Sequence, residues 1–75
     1  MTPQKEEEVL IHGIMEDYGK VVVATPKAYL IKMGINNEAF WIPASICDFE
    51  VSEKGYEATA PEWFLDKVET IELKP

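Results

Sequence analysis

Seventy-five residues make one domain, and a chain of that size buries only roughly 60% of its unfolded surface. At 47% hydrophobic it carries more apolar material than a disordered acidic tail, so it is expected to fold. Fourteen acidic against seven basic residues give a net charge of −7, and all seven cations are lysine. That argues against the arginine-bearing basic stripe of an ordinary DNA- or RNA-binding protein and favours a basic partner.

Cys47 is the one cysteine, so neither a disulfide framework nor a thiolate metal cluster forms within the chain. Packing alone must hold the fold, and a reducing compartment is its simplest setting. The opening "MTPQKEEEVL" is acidic and lacks the basic-then-apolar signature of a secretory signal. No apolar run approaches the ~18 residues of a membrane span. The expectation is a cytoplasmic protein with no membrane contact. It divides into a flexible segment, 1–7, and a single β-rich domain, 8–75.

The first element, "EVLIHGIMED" (8–17), reads as a strand, because Gly13 in its middle would cost a helix about 1 kcal/mol. Its alternation is not cleanly one-sided, and a helix over 6–18 stays open. "DYGK" (17–20) is a turn. "KVVVATPKAYLIKM" (20–33) is rich in β-branched and aromatic residues, with Pro26 inside it. It is one long bent strand, or two strands meeting at Thr25-Pro26. "GINNE" (34–38) is a hairpin turn and "AFWIP" (39–43) the answering strand. After Pro43 the chain makes a tight turn or one helical turn. "FEVSEKGYEATA" (49–60) holds a strand or hairpin turning at Lys54-Gly55.

Thr59 precedes Glu62 by three residues, a capping-box spacing, and Pro61 suits a first helical turn. A two-turn helix is expected over 61–69. Ile71 and Leu73 alternate as a last short strand. Short strands, frequent turns and one helix predict a mainly β fold: a small antiparallel five-stranded barrel or half-barrel with one short helix near the C-terminus.

Phe40, Trp41, Ile42 and Pro43 form an unbroken apolar block. In a strand Phe40 and Ile42 share one face, assigned to the core. Trp41 then needs a cover, and the helix is expected to supply it. On that helix Pro61, Phe64, Leu65 and Val68 share the buried face. Glu62, Asp66 and Glu69 make an acidic stripe, and Trp63 lies opposite the apolar centre. Two readings of Trp63 stay open: a partner anchor, or a residue covered by the N-terminal segment or a dimer mate.

No catalytic set emerges. His12 and Cys47 could in principle pair, but no orienting motif surrounds either, and a structural cysteine and a strand histidine are the simpler reading. There is no Gly-rich phosphate loop, no Gly-x-Ser-x-Gly and no cation-binding loop. No enzyme, cofactor or metal is expected. Tyr29, Phe40 and Trp41 could stack single-stranded bases, but Lys20, Lys27 and Lys32 do not share one strand parity, and core packing is favoured.

Lys27-Ala28, Trp41-Ile42-Pro43, Ser45-Ile46 and Pro61-Glu62-Trp63 together resemble a widespread group of small proteins in phages and mobile elements. The resemblance covers roughly residues 27 to 67. The chain departs from the pattern at Ala44, where a lysine is common, and at Thr25-Pro26, which replaces an acidic pair. The resemblance implies a mobile-element setting, in which small acidic proteins inhibit host enzymes or defence complexes, CRISPR nucleases among them.

The expected function is therefore a non-enzymatic acidic binding domain that inhibits a host defence protein through its basic surface, by partial DNA mimicry if carboxylates fill a nucleic-acid channel. The expected contact residues are Trp63 with Glu62, Asp66 and Glu69 on the helix, and Asp48, Glu50, Glu53 and Glu57 around the preceding hairpin. The alternatives are a small nucleic-acid-binding barrel and a homo-oligomeric assembly protein.

Overall fold

A computed structural model describes residues 2–34 and 36–74. The strands are β1 (Glu8–His12), β2 (Gly19–Ala24), β3 (Ala28–Lys32), β4 (Glu38–Pro43), β5 (Asp48–Val51), β6 (Tyr56–Thr59) and β7 (Ile71–Glu72). A single 3-10 turn, Ala44–Ile46, follows β4, and a one-turn helix α1, Glu62–Leu65, follows β6. All seven strands join one sheet in the order β5-β6-β1-β2-β3-β4-β7.

This corrects the expected five-stranded antiparallel barrel in three respects. Among the described residues there are seven strands, because 20–33 breaks in two and 49–60 is a hairpin. The sheet is open: among the described residues no ladder joins β5 to β4 or β7. One pairing, β1 with β6, is parallel. It arises because β6 returns along the outer side of β1, the other side being taken by β2.

Local chemistry explains the breaks. Gly13, at φ 92, ends β1 in a conformation that suits glycine. Pro26 lies in the β2–β3 turn, where Thr25 Oγ1 donates to the Ala28 carbonyl at 2.8 Å and accepts from the Ala28 N–H at 3.0 Å. The three valines of β2 contain a bulge between Val21 and Val23. Val21 is fully buried, whereas beyond the bulge Val23 pairs with Leu30 and is exposed.

Pro43 is tolerated inside β4 for a geometric reason. The Met33 N–H donates to Glu38 O and the Ala44 N–H to Lys27 O, so even-numbered positions of β4 face β3. Pro43 is odd-numbered, and its missing donor falls on the edge side, where β7 reaches only Glu38 and Ala39.

The core gathers Val9, Ile11, Val21, Ile31, Phe40 and Ile42, all fully buried. Tyr29 of β3 meets Phe49 of β5 edge to face at 5.3 Å, although the two strands lie four places apart in the sheet. The sheet therefore curls, placing β5 and β3 on opposite walls of one core. Ahead of β1, Pro3 is buried, and Glu6 and Glu7 exchange backbone hydrogen bonds with Val21.

Phe40 and Ile42 face the core as expected, but Trp41 is 45% exposed and lacks the expected cover. The helix packs elsewhere. A Cβ on Gly13 would lie 2.8 Å from Leu65 Cδ1, so α1 sits at the end of β1 on the core side. Trp41 is on the outer side, opposite Leu30. The helix is also shorter than the expected span of 61–69. Thr59 is committed to β6, opposite Asp48, and Pro61 becomes an N-cap without a side-chain hydrogen bond. The capping box does not form.

Candidate functional site

β5 and β6 form a hairpin closed by the Ser52 N–H donating to Gly55 O at 2.8 Å. Its register sets Asp48 opposite Thr59, Phe49 opposite Ala58, and Glu50 opposite Glu57. Phe49 and Ala58 face the core, so Asp48, Glu50 and Glu57 share the outer face. The structure thus brings together three of the four hairpin carboxylates read from the sequence. The fourth, Glu53, lies exposed in the turn. Glu50 directly opposite Glu57 is a like-charge pair, which weakens a ladder.

Glu57 is also held by residues from other elements. Its Oε1 is 2.9 Å from His12 Nε2 on β1, and its Oε2 accepts from Tyr18 Oη at 3.2 Å. Tyr18 Oη is 3.0 Å from Ser52 Oγ, and Lys54 Nζ lies 5.4 Å from the Tyr18 ring centroid. Ser52 Oγ in turn accepts from the Gly55 N–H at 3.2 Å. This network fixes the hairpin to the β1–β2 loop and leaves Glu50 and Asp48 exposed. Sequence reasoning missed the roles of His12 and Tyr18. The signal was the parity of β1, which puts His12 beside Leu10 on the outer face once β6 is placed alongside.

The second part is α1. Phe64 and Leu65, with Val68 beyond them, pack against the core as expected. Trp63 is 55% exposed and stacks edge to face on Phe64 at 6.2 Å. Glu62 on α1, Asp66 at its C-cap and Glu69 beyond its end are all exposed, so the acidic stripe expected along a helix of 61–69 is not a single helical face. Within the chain, then, the N-terminal segment does not cover Trp63. Its flank is acidic on both sides, since Lys67 is the single cation between Glu62 and Glu69.

An apolar row, Val23–Leu30–Trp41, crosses the outer face of β2–β4, and Ile71 is exposed beside Ala39. An open cleft of ≈540 Å³ is lined by Ile14, Met15, Glu16, Asp17 and Met33.

The residues that could have formed a nucleophile pair are separated by the sheet. His12 is on its outer face, while Cys47 is buried in the core. Burial pushes the Cys47 thiol up to about 11, and the neighbouring Asp48 carboxylate adds to the shift. Such a thiol is protonated and unreactive at neutral pH. Among the described residues no three His, Cys, Asp or Glu side chains converge as a metal site would. Among them, too, no helix is long and apolar enough to cross a membrane. Compared with known proteins, the chain matches no family model, no curated protein and no solved structure.

Proposed function

We propose that this chain is a non-enzymatic binding domain whose acidic surface docks on a basic protein surface. The observation that carries the reading is Trp63: a large aromatic more than half exposed, on a helix whose neighbouring apolar residues are turned to the core, in a stretch of chain whose carboxylates Glu62, Asp66 and Glu69 are exposed. Aromatic anchors of this kind dominate binding energy when a partner desolvates them. Carboxylates around the anchor select a cationic rim and speed association. Through the motif resemblance, the partner is a host protein in the cytoplasm, a defence complex with a nucleic-acid channel being the case that fits. The chain then acts as an inhibitor encoded by a phage or mobile element.

DNA mimicry enters this reading in a limited form. Asp48 and Glu50, two residues apart on one strand face, are separated by about 7 Å, comparable to phosphate spacing along a strand. Glu53 is in the turn and does not continue that row.

Affinity capture from host lysate, followed by mass spectrometry, identifies the partner, and two variants then test the mode. Trp63→Ala should weaken binding by about 30-fold or more, which is about 2 kcal/mol. The triple variant Glu62→Gln, Asp66→Asn, Glu69→Gln should weaken it and flatten its salt dependence. Wild-type affinity in both folded variants would remove α1 from the site.

A further inference from the structure

β5 is one of the two edge strands of the sheet, β7 being the other. Its one extensive neighbour is β6. Because Ser52 bonds Gly55 across the hairpin, the hydrogen-bonded pairs of the ladder are Ser52/Gly55, Glu50/Glu57 and Asp48/Thr59. The N–H and C=O groups of Phe49 and Val51 therefore point the other way, off the sheet, where no strand lies among the described residues. Val51 is 60% exposed, more than any other large apolar residue described. Asp48 and Glu50 stand exposed on the outer face of the same strand, with Glu57 behind them.

We propose that β5 takes an extended segment of the basic partner as an added strand, with lysine or arginine at alternate positions beside Asp48 and Glu50 and an apolar side chain beside Val51. This deepens the proposed function and rests on it, since the occupant belongs to the same basic partner. Strand addition draws affinity from main-chain hydrogen bonds and specificity from every second side chain. The outward amides of Phe49 and Val51 supply the first, and the period-two row of carboxylates supplies the second. The same charges argue against a second copy as occupant. Edge-to-edge pairing of two β5 strands would set Asp48 and Glu50 of each copy against those of the other.

The test uses the whole chain labelled with ¹⁵N and three probes. The first is an acetylated, amidated octapeptide alternating lysine and valine. The second keeps the lysines but replaces two valines with proline, so it has the charge and cannot continue a ladder. The third is a single-stranded oligothymidine. Expected is binding of the first peptide, with hydrogen exchange at Phe49 and Val51 slowed at least tenfold. Glu50 and Ser52, already bonded to β6, should change little. Binding by the proline peptide should be at least tenfold weaker, and Glu50→Lys should weaken the first peptide at least tenfold. Circular dichroism confirms that the variant is folded.

Several results overturn the proposal. One is shift changes confined to 62–69 with unchanged exchange at Phe49 and Val51, which leaves the basic-partner reading standing and removes strand addition. Another is equal binding of the two peptides, which makes the contact purely electrostatic. Slowing of Phe49 and Val51 exchange with protein concentration alone would assign the edge to a second copy. Stronger binding of the oligothymidine would assign it to nucleic acid. Failure of the first peptide to bind at millimolar concentration overturns it as well, and the Trp63→Ala measurement then decides the wider reading separately.

Discussion

Phe40 and Trp41 are adjacent and both aromatic, and the fold gives them opposite energetic weight. Phe40 is fully buried among Ile31, Ile42 and the rest of the core, while Trp41 is 45% exposed on the outer face. Truncating a buried Phe to Ala costs about 3–5 kcal/mol, through lost transfer energy and the cavity left behind. A domain of 75 residues has roughly 4–11 kcal/mol to lose. Phe40→Ala should therefore leave the domain barely folded. Trp41→Ala removes one cross-strand contact with Leu30 and part of an already wet surface, worth about 1 kcal/mol. Urea unfolding followed by far-UV circular dichroism measures both. With m about 1 kcal/mol/M for so small a chain, the midpoint should fall by about 1 M for Trp41→Ala. Phe40→Ala should lower it by about 3 M or more. Equal losses, or a larger loss for Trp41→Ala, would mean that the inside and outside of β4 have been assigned wrongly.

The remaining predictions concern backbone fit and pH. A Cβ on Gly19 would clash with the Lys32 carbonyl oxygen, a backbone atom that cannot swing aside, so Gly19→Ala should cost about 2–3 kcal/mol in the same urea assay. The Cys47 thiol, raised from 9.0 to about 11 by burial first and by Asp48 second, holds its proton in the folded state after the unfolded chain has lost its own. The folded state then binds more protons, so stability is complete below pH 9 and falls as pH rises through 11, by roughly 2–3 kcal/mol. Cys47→Ala should flatten that part of the profile. Iodoacetamide at pH 8 should label Cys47 far more slowly than it labels the urea-unfolded chain.

The turns were legible because they carry local chemistry, at Thr25-Pro26, the Gly34–Asn37 stretch and Lys54-Gly55, but that chemistry did not decide whether 20–33 and 49–60 each form one strand or two. The inward faces of β4 and α1 were legible from period. Long-range choices were not. Nothing local to 56–59 says that it pairs in parallel with β1, and that choice alone brings His12 to Glu57. The fate of Trp41 failed for a related reason, since it depended on where α1 docks, and α1 docks by Leu65 over Gly13. The capping box failed because Thr59 had a stronger commitment to the β6 ladder than to a helix of one turn. Of the site, the residue types and the hairpin were readable. The gathering of Asp48, Glu50 and Glu57 on one outer face required the register.

That register also separates stability from binding in one residue. Glu50 sits directly opposite Glu57, and Glu57 is already engaged by His12 and Tyr18, so Glu50 gains nothing from its neighbour and is repelled by it. Selection for folding alone would place a lysine there, because opposite charges across a ladder contribute roughly 0.2–1 kcal/mol where like charges cost a similar amount. Glu50→Lys should therefore raise the urea midpoint, by about 0.5–1.5 M at the m value used above. The same substitution puts a cation in the middle of the acidic row that receives the basic segment, and should weaken that contact. A variant more stable yet poorer at binding is what a surface kept for a partner predicts. If Glu50→Lys lowers the midpoint, the repulsion inferred from the register is not felt in the folded chain. If it binds a basic partner as the wild type does, the acidity of β5 serves only to keep the edge from other strands.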